Sequence, residues 1–445
     1  MNEKSNGGST TNSIDVRPFE KRKFLFVSWE SLSGDLAWYV KKEGHDVKCW
    51  IKREDDKDVY EGVLERVDAW EAWVDWADVV VFDDTGFGEH ADRLRLAGKL
   101  VIGGSVYTDR LEDERKFGQE EMRKVGMMRI PSWDFTNFDD AIKFIRDRPD
   151  RYVFKPSGFT LSDDKGLLTI GEDDDGKDLI ELFLHNKRVW SKKILAFQLQ
   201  KYLSGVEVAA GAFFNGKEFI TPININFEHK RLFPGEIGPM TGEMGTLMYW
   251  SETNTIFRMT LERMKELLAQ NKYCGYIDIN CIATSKGVYP LEFTCRFGYP
   301  TISIQLEGMQ IPAGEFLFKM ATGELRQFKT KKGFQIGVVI AVPPFPYYDK
   351  KVIASYRDQS IVFKKPTMEG MHLGDVKYIE NDWHIAGESG YVLVVTGSGS
   401  TVEEARKQTY GRIKNIVLQN MYYRTDIGIR WYTDSDRLQT WGFLY

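Results

Sequence analysis

Glu292 stands inside an otherwise apolar run, "VYPLEFT" (288–294), and Arg296 follows it in "CRFGYP" (295–300). Burying an unpaired carboxylate is costly, so a cation is expected beside Glu292. Asp278 and Asn280 lie in the preceding apolar run, "YIDINCIA" (276–283), and share one face of it because strand side chains alternate. Oxygen donors on two paired strands, with the remaining coordination left to water and phosphate, suit magnesium. Lys155 ends the apolar run "RYVFK" and precedes a loop of small and polar residues that closes on Lys165 and Gly166. Ammonium charges and loop N–H groups are what a nucleotide triphosphate requires. The glycine spacing of a Walker loop is absent. In "LQKYLSGVE" (199–207) a strand-to-turn main chain is placed to pair with an adenine edge, and Glu207 to accept from ribose hydroxyls. Together these residues predict a magnesium-nucleotide site.

The rest of the chain limits what such a site serves. Its 445 residues, 42% hydrophobic and 13% aromatic, suffice for two to four structural units. A formal net charge of −5 with both signs mixed leaves no basic face for nucleic acid or an anionic membrane. The expected partners are small-molecule substrates, with the chain a monomer or homodimer. The four cysteines, Cys49, Cys274, Cys281 and Cys295, have neither zinc spacing nor disulfide density and read as buried thiols. Without a membrane-length apolar run or a signal-like start, a cytoplasmic protein with a disordered tail over 1–17 is expected.

Three units are expected behind that tail. Apolar runs at 23–28, 78–82 and 99–104 alternate with helical patterns such as 34–44, which predicts a parallel sheet over 18–110. Its ligands belong beyond the strand ends, at "SWESLSGD" (28–35) and "DDTGFGEH" (83–90). The tryptophan-rich segment 69–82 reads as a helix packed on that sheet. Residues 111–330 form an α+β unit with a small lobe over about 134–206. It opens with a helix stopped by Pro131 and contains a hairpin turning at Asn215-Gly216, an aperiodic loop over 226–250 and a helix over 255–271. A small antiparallel domain, 331–445, closes with a helix capped by Ser400 and Glu403.

These residues, in this order, resemble the ATP-grasp superfamily, and most closely the phosphoribosylamine-glycine ligases. "EHKRLFPGEIGPMTGEMG" (228–245) is similar to that family's His-Lys-Arg and Gly-Pro-Asn-Thr-Gly-Gly-Met-Gly loop, and "LEFTCRFGYP" to its Glu-Phe-Asn-Cys-Arg-Phe-Gly-Asp-Pro. "YYRTDIG" (422–428) resembles its Arg-Lys-Asp-Ile-Gly. The resemblance implies an ATP-grasp fold with an N-terminal parallel-sheet domain, and ATP with magnesium or manganese as cofactors. Lys116 and Lys155 would bind phosphates under a loop ending at Lys165 and Gly166. Gln200, Lys201, Tyr202, Leu203 and Glu207 would hold adenosine, and Glu292 the metal. Lys230, Arg231, Gly238, Pro239, Thr241, Gly242, Met244, Gly245 and Arg296 would surround substrate.

Departures from the family pattern shape the functional expectation. Thr294 replaces an asparagine, so the second metal ligand shifts to Asp278 or Asn280, with Thr294 a weaker candidate. Tyr299 and Thr301 replace two acids. Asp83 and Asp84 stand where a sugar phosphate would bind, and repel it unless a cation intervenes. The expectation is therefore an ATP-dependent carboxylate-amine ligase working through an acyl phosphate, with glycine or another small amino acid as donor and an altered amine acceptor. The alternatives are phosphoribosylamine-glycine ligation itself and a catalytically inactive nucleotide-binding regulator.

Overall fold

The computed structural model describes residues 20–157 and 168–444, so the N-terminal tail and the expected phosphate loop with Lys165 and Gly166 lie outside the described residues. Five short strands form a parallel sheet: β1 (Lys23–Ser28), β2 (Asp46–Ile51), β3 (Glu65–Arg66), β4 (Val79–Phe82) and β5 (Leu100–Ile102), in the order β3-β2-β1-β4-β5. Parallel neighbours need crossovers, which helices α1 (Gly34–Lys42) and α2 (Gly88–Leu96) help supply. Strand order reverses between β1 and β4, so the loops following these strands flank the crevice where such sheets bind ligands. The tryptophan-rich segment forms a short 3-10 turn, Trp70–Trp73, rather than the expected helix. Its rings pack: Trp70 meets Phe82 edge-on, and the Lys48 ammonium lies 3.9 Å over Trp73.

The expected helix up to Pro131 is two, α3 (Val106–Asp113) and α4 (Arg115–Lys124), ending near Gly126, whose φ of 75° no helix continues through. A small lobe follows. Its strands β6 (Ser132–Phe135), β7 (Tyr152–Ser157), β8 (Thr169–Ile170) and β9 (Ala196–Lys201) pair antiparallel in the order β6-β9-β7-β8. Helices α5 (Phe138–Asp147) and α6 (Lys177–Trp190) complete it. The lobe has its own core, with Phe138, Phe154, Phe183 and Phe197 at its centre. Because Phe154 faces this core, Lys155 points to the other side of the sheet, as does its cross-strand partner Gln198.

The central sheet contains β10 (Val206–Asn215), β11 (Phe219–Phe233), β12 (Ile237–Ser251), β13 (Cys274–Thr284), β14 (Gly287–Thr294) and β15 (Phe334–Ala341). The chain continues with β16 (Ser360–Phe363), β17 (Met371–Leu373), β18 (Val376–Ile379), β19 (Asp382–Ile385), β20 (Tyr391–Gly399) and β21 (Ile416–Val417). The eight-stranded order is β14-β13-β10-β11-β12-β15-β20-β17, and β18-β19-β16-β21 make a separate small sheet. Two expectations are corrected here. Residues 226–250 are not a loop but most of the β11–β12 hairpin, and the terminal unit shares three strands with the central sheet. Irregular ladder register around Arg231 interrupts the alternation that would have marked the hairpin. At Gly245, with φ of 151°, an added Cβ would lie 2.5 Å from the Gly337 carbonyl, so glycine is what lets β15 join β12 there.

The predicted helix over 255–271 is likewise interrupted, into Thr255–Met259, a 3-10 turn and Lys265–Gln270. In the last domain the helix Val402–Ile413 is capped by Thr401, whose hydroxyl accepts from Glu404 N–H while the Glu404 carboxylate accepts from Ser400 N–H. The cap is one residue later than Ser400 and Glu403 predicted.

Candidate active site

Strand alternation gathers the polar residues. Asn280 lies opposite Glu292, and Asp278 opposite Thr294, across the β13–β14 ladder. On the same face Ala209 and Gly211 of β10 oppose Asn280 and Asp278, and Asn226 and Asn224 of β11 follow. The intervening residues Ile277, Ile279, Cys281 and Phe293 go to the core. Asn280 is thus the nearest companion to Glu292 in register. Asp278 sits deeper, 2% exposed, accepts from Tyr276 Oη at 3.3 Å, and is pushed up to about 8 by burial and the nearby Glu228.

Lys230 unites three carboxylates. Its Nζ lies 3.3 Å from Glu228, 3.7 Å from Glu207 and 3.7 Å from Glu292. Burial opposes its charge, yet these acids hold its pKa well above the ordinary lysine value. Three carboxylates gathered about one ammonium make a site of oxygen donors, which fits a divalent cation or a cation-bearing phosphate. Glu228 was not anticipated. Its signal was available, two positions before Lys230 on one strand, but was hidden by reading this segment as a loop.

From the small lobe, Lys155 is directed at the same cluster. Burial, then the neighbouring Arg115 charge, lower it to about 8, while Glu292 and Glu207 oppose that shift. Lys155 and Arg115, the latter exposed, are therefore like charges near each other, as a polyanion would require. Lys116 and Arg115 are both exposed on α4, and it is the Arg115 charge that acts on Lys155.

The adenosine candidates end β9. The N–H groups of Lys201 and Tyr202 donate to the carbonyls of Pro131 and Arg151, so these two donors are already engaged. Gln200 is buried in the ladder between β6 and β7, Lys201 pairs with Asp150, and Arg151 lies 3.7 Å over the Tyr202 ring. Leu203 is half-buried in the turn that follows, and Glu207 is the member of the group that meets Lys230.

Arg296 links the central sheet to the first domain. Its Nε is 3.1 Å from Asp84 and 3.2 Å from Glu112, and the remaining Glu112 oxygen accepts from Cys295 N–H at 2.6 Å. Burial opposes the Arg296 charge and the two acids sustain it, whereas burial pushes Glu112 up to about 7. Asp83, fully buried, accepts from Ser33 N–H at 2.9 Å and is pushed up to about 7 by burial. Tyr299 Oη donates to the Asp83 carbonyl at 3.3 Å. A cation thus does stand beside Asp84, and Asp83 is turned into the β1 loop.

The 238–246 segment divides. Arg231 donates to the Gly238 carbonyl and the Thr241 hydroxyl to the Lys230 carbonyl, so these residues order the hairpin that carries Lys230. Pro239 and Gly242 lie toward the hairpin's turn, whereas Met244 is fully buried and Gly245 packs on β15. Glu243, also buried, is raised well above an ordinary carboxyl by burial and Glu228. His229 donates from Nδ1 to Glu236 at 2.9 Å and accepts at Nε2 from Gly428 N–H. Arg424 donates to both Glu236 and Asp426 at 2.7 Å, filling the acidic corner beside His229 and tying the hairpin to the last domain.

A parallel-sheet domain followed by two antiparallel lobes, with a lysine of the smaller directed at the carboxylates of the larger, defines an ATP-grasp ligase. The family model described as phosphoribosylglycinamide synthetase, ATP-grasp (A) domain, matches residues 113–302, and that of the C domain matches 335–430. Together they span well over half the chain, and it belongs to the phosphoribosylglycinamide synthetase family. Its relatives include phosphoribosylamine-glycine ligases of Corynebacterium ammoniagenes, 28% identical over 351 residues (76% of this chain, 78% of that one), and Streptococcus suis, 25% identical over 358 residues (78% and 82%). Among solved structures, the Thermotoga maritima phosphoribosylamine-glycine ligase superposes with a TM-score of 0.68 at 19% identity, covering 91% of this chain and all of that one. A Hydrogenobacter thermophilus biotin carboxylase domain, solved with MgADP, gives 0.63 at 12% identity, covering 96% and 97%. ATP use and C–N bond formation follow from the family. No helix among the described residues is long and apolar enough to cross a membrane.

Proposed function

We propose that this chain joins glycine to phosphoribosylamine in a reaction driven by ATP, the activity for which its relatives are named. The observation that carries this reading is the Asp84–Arg296 ion pair. The expectation of an altered acceptor rested on two acids confronting a sugar phosphate. Asp84 instead shares a cation, and Asp83 accepts from the turn 31–34 at the start of α1. That turn lies at the sheet's switch point, where a helix N-terminus suits an anionic group, while its Ser33 N–H is taken by Asp83 and its Gly34 N–H by the Ser31 carbonyl.

In the first step a glycine carboxylate oxygen attacks the γ-phosphorus, the bond to the β-phosphate oxygen breaks, and ADP leaves glycyl phosphate. In the second the amine nitrogen attacks the acyl carbon, phosphate departs, and the nitrogen gives up a proton. Lys155 and Arg115 hold the phosphates in line, and Lys230 keeps Glu207, Glu228 and Glu292 oriented. Arg296, fixed by two acids, is pre-aimed for the donor carboxylate and the developing oxyanion, an arrangement that needs no reorganisation as charge develops. A divalent ion at Glu292 and Asn280 would neutralise phosphate charge.

A second reading keeps the altered acceptor and rests on the buried carboxyls Glu228, Glu243 and Asp278, which suit a cationic amine. Phosphate release from ATP with glycine, across phosphorylated and unphosphorylated amines, separates the two. Turnover only with an unphosphorylated amine selects the second, and ATP binding without turnover selects a regulator.

A further inference from the structure

Away from the nucleotide cluster, a cavity of about 740 Å³ opens in the last domain between the helix Val402–Ile413, the segment 364–371 and the end of β20. The volume is within the range of small-molecule sites. Lys364, Lys365, Lys407, Arg412 and Lys414 line it against two acids, Glu369 and Glu404, a positive surplus in a chain whose net charge is −5. The helix contributes Glu404, Lys407, Gln408, Gly411 and Arg412, spaced three and four apart on one face.

Two features make this wall more than a scatter of surface lysines. Arg412 is held in place: Nη1 donates to the buried Glu307 at 3.0 Å and to the Thr396 carbonyl at 2.8 Å, and Nη2 pairs with Glu369. Its charge is shared with Glu307 and Glu369, so Arg412 braces the wall while the lysines supply the uncommitted positive charge. Gly411 lies in the helix interior, where glycine costs about 1 kcal/mol relative to alanine, yet an added Cβ there would meet no atom within 4 Å. Packing does not require this glycine, and its bareness leaves the helix backbone open to the cavity.

We propose that this cavity is a second ligand site, separate from the ATP cleft, that takes a small phosphorylated molecule. Its phosphate would lie between Lys365 and Lys407, on the wall that Arg412 braces, with the organic part against the bare turn at Gly411. Lys365 and Lys407 are exposed and outside the ligase machinery, so reversing both leaves the fold and the basal reaction in place.

The test is calorimetric titration of the full chain and of the K365E/K407E double variant with three probes: inorganic pyrophosphate, adenosine monophosphate and ribose 5-phosphate. Circular dichroism and ATP turnover without probe confirm that the variant is folded. The proposal expects at least one probe to bind the parent chain at a site that weakens at least tenfold in the variant, the tightest probe naming the carrier of the phosphate. Superimposable isotherms for all three probes in the two proteins would overturn it.

Discussion

Arg296 and Asp84 meet at 3.1 Å, joining the end of a central-sheet hairpin to the loop after the fourth strand of the parallel domain. The central sheet that carries Glu292 and the parallel-sheet domain are therefore connected by one guanidinium, which Glu112 also contacts.

Replacing it tests that connection. Arg296→Ala is expected to lower kcat by about 10²-fold, the scale of losing one preorganised charge stabiliser, while leaving the KM for ATP within about threefold. Arg296→Lys is expected to restore little, since one ammonium cannot both lie beside Asp84 and Glu112 and reproduce the Nη1 donation to the Phe297 carbonyl. Steady-state kinetics with ATP varied at saturating glycine and amine checks both.

Lys155 gives a pH dependence. Its folded pKa is lowered to about 8, so the free enzyme loses this charge as pH rises through 8, and a bound triphosphate favours the charged form. ATP affinity is therefore expected to fall above pH 8, and Lys155→Arg to flatten that decline. Nucleotide titrations between pH 7 and 9.5 measure it.

Asp83 gives a pH dependence of stability. Its folded pKa is raised from 3.8 to about 7, so the folded state retains a proton that the unfolded chain releases. Stability from this group is complete below pH 3.8 and is lost as pH rises through 7. Asp83→Asn removes the titration, and its melting temperature relative to the parent should rise between pH 5 and pH 8. Parallel melting curves at the two values decide the sign.

Lys230 balances buried charge. Lys230→Met leaves Glu228, 8% exposed, without its ammonium partner, and is expected to cost about 3 kcal/mol, the lower range for breaking a buried pair. Added magnesium or manganese should recover part of that loss if the carboxylates hold a cation. Denaturant unfolding with and without the ion reads both effects.

Much of this was legible in residue patterns. Asp278 and Asn280 could be placed on one face because strand side chains alternate, and Lys155 because it closes an apolar run. Glu228 was missed because the β11 ladder is irregular around Arg231 and β12 carries glycines where side chains would have shown a period. Arg115 was missed because which of two adjacent basic residues on α4 faces the cleft depends on the break at Glu114. The Asp84–Arg296 pair spans more than 200 residues, a distance over which no local pattern reports.

The decisive measurement is phosphate release from ATP with magnesium and glycine, without amine and then with phosphoribosylamine beside unphosphorylated cationic amines. The account predicts little release without an amine, turnover at rates ordinary for an enzyme with phosphoribosylamine, and loss of that turnover in Arg296→Ala. Robust turnover with a cationic amine and none with phosphoribosylamine would contradict it.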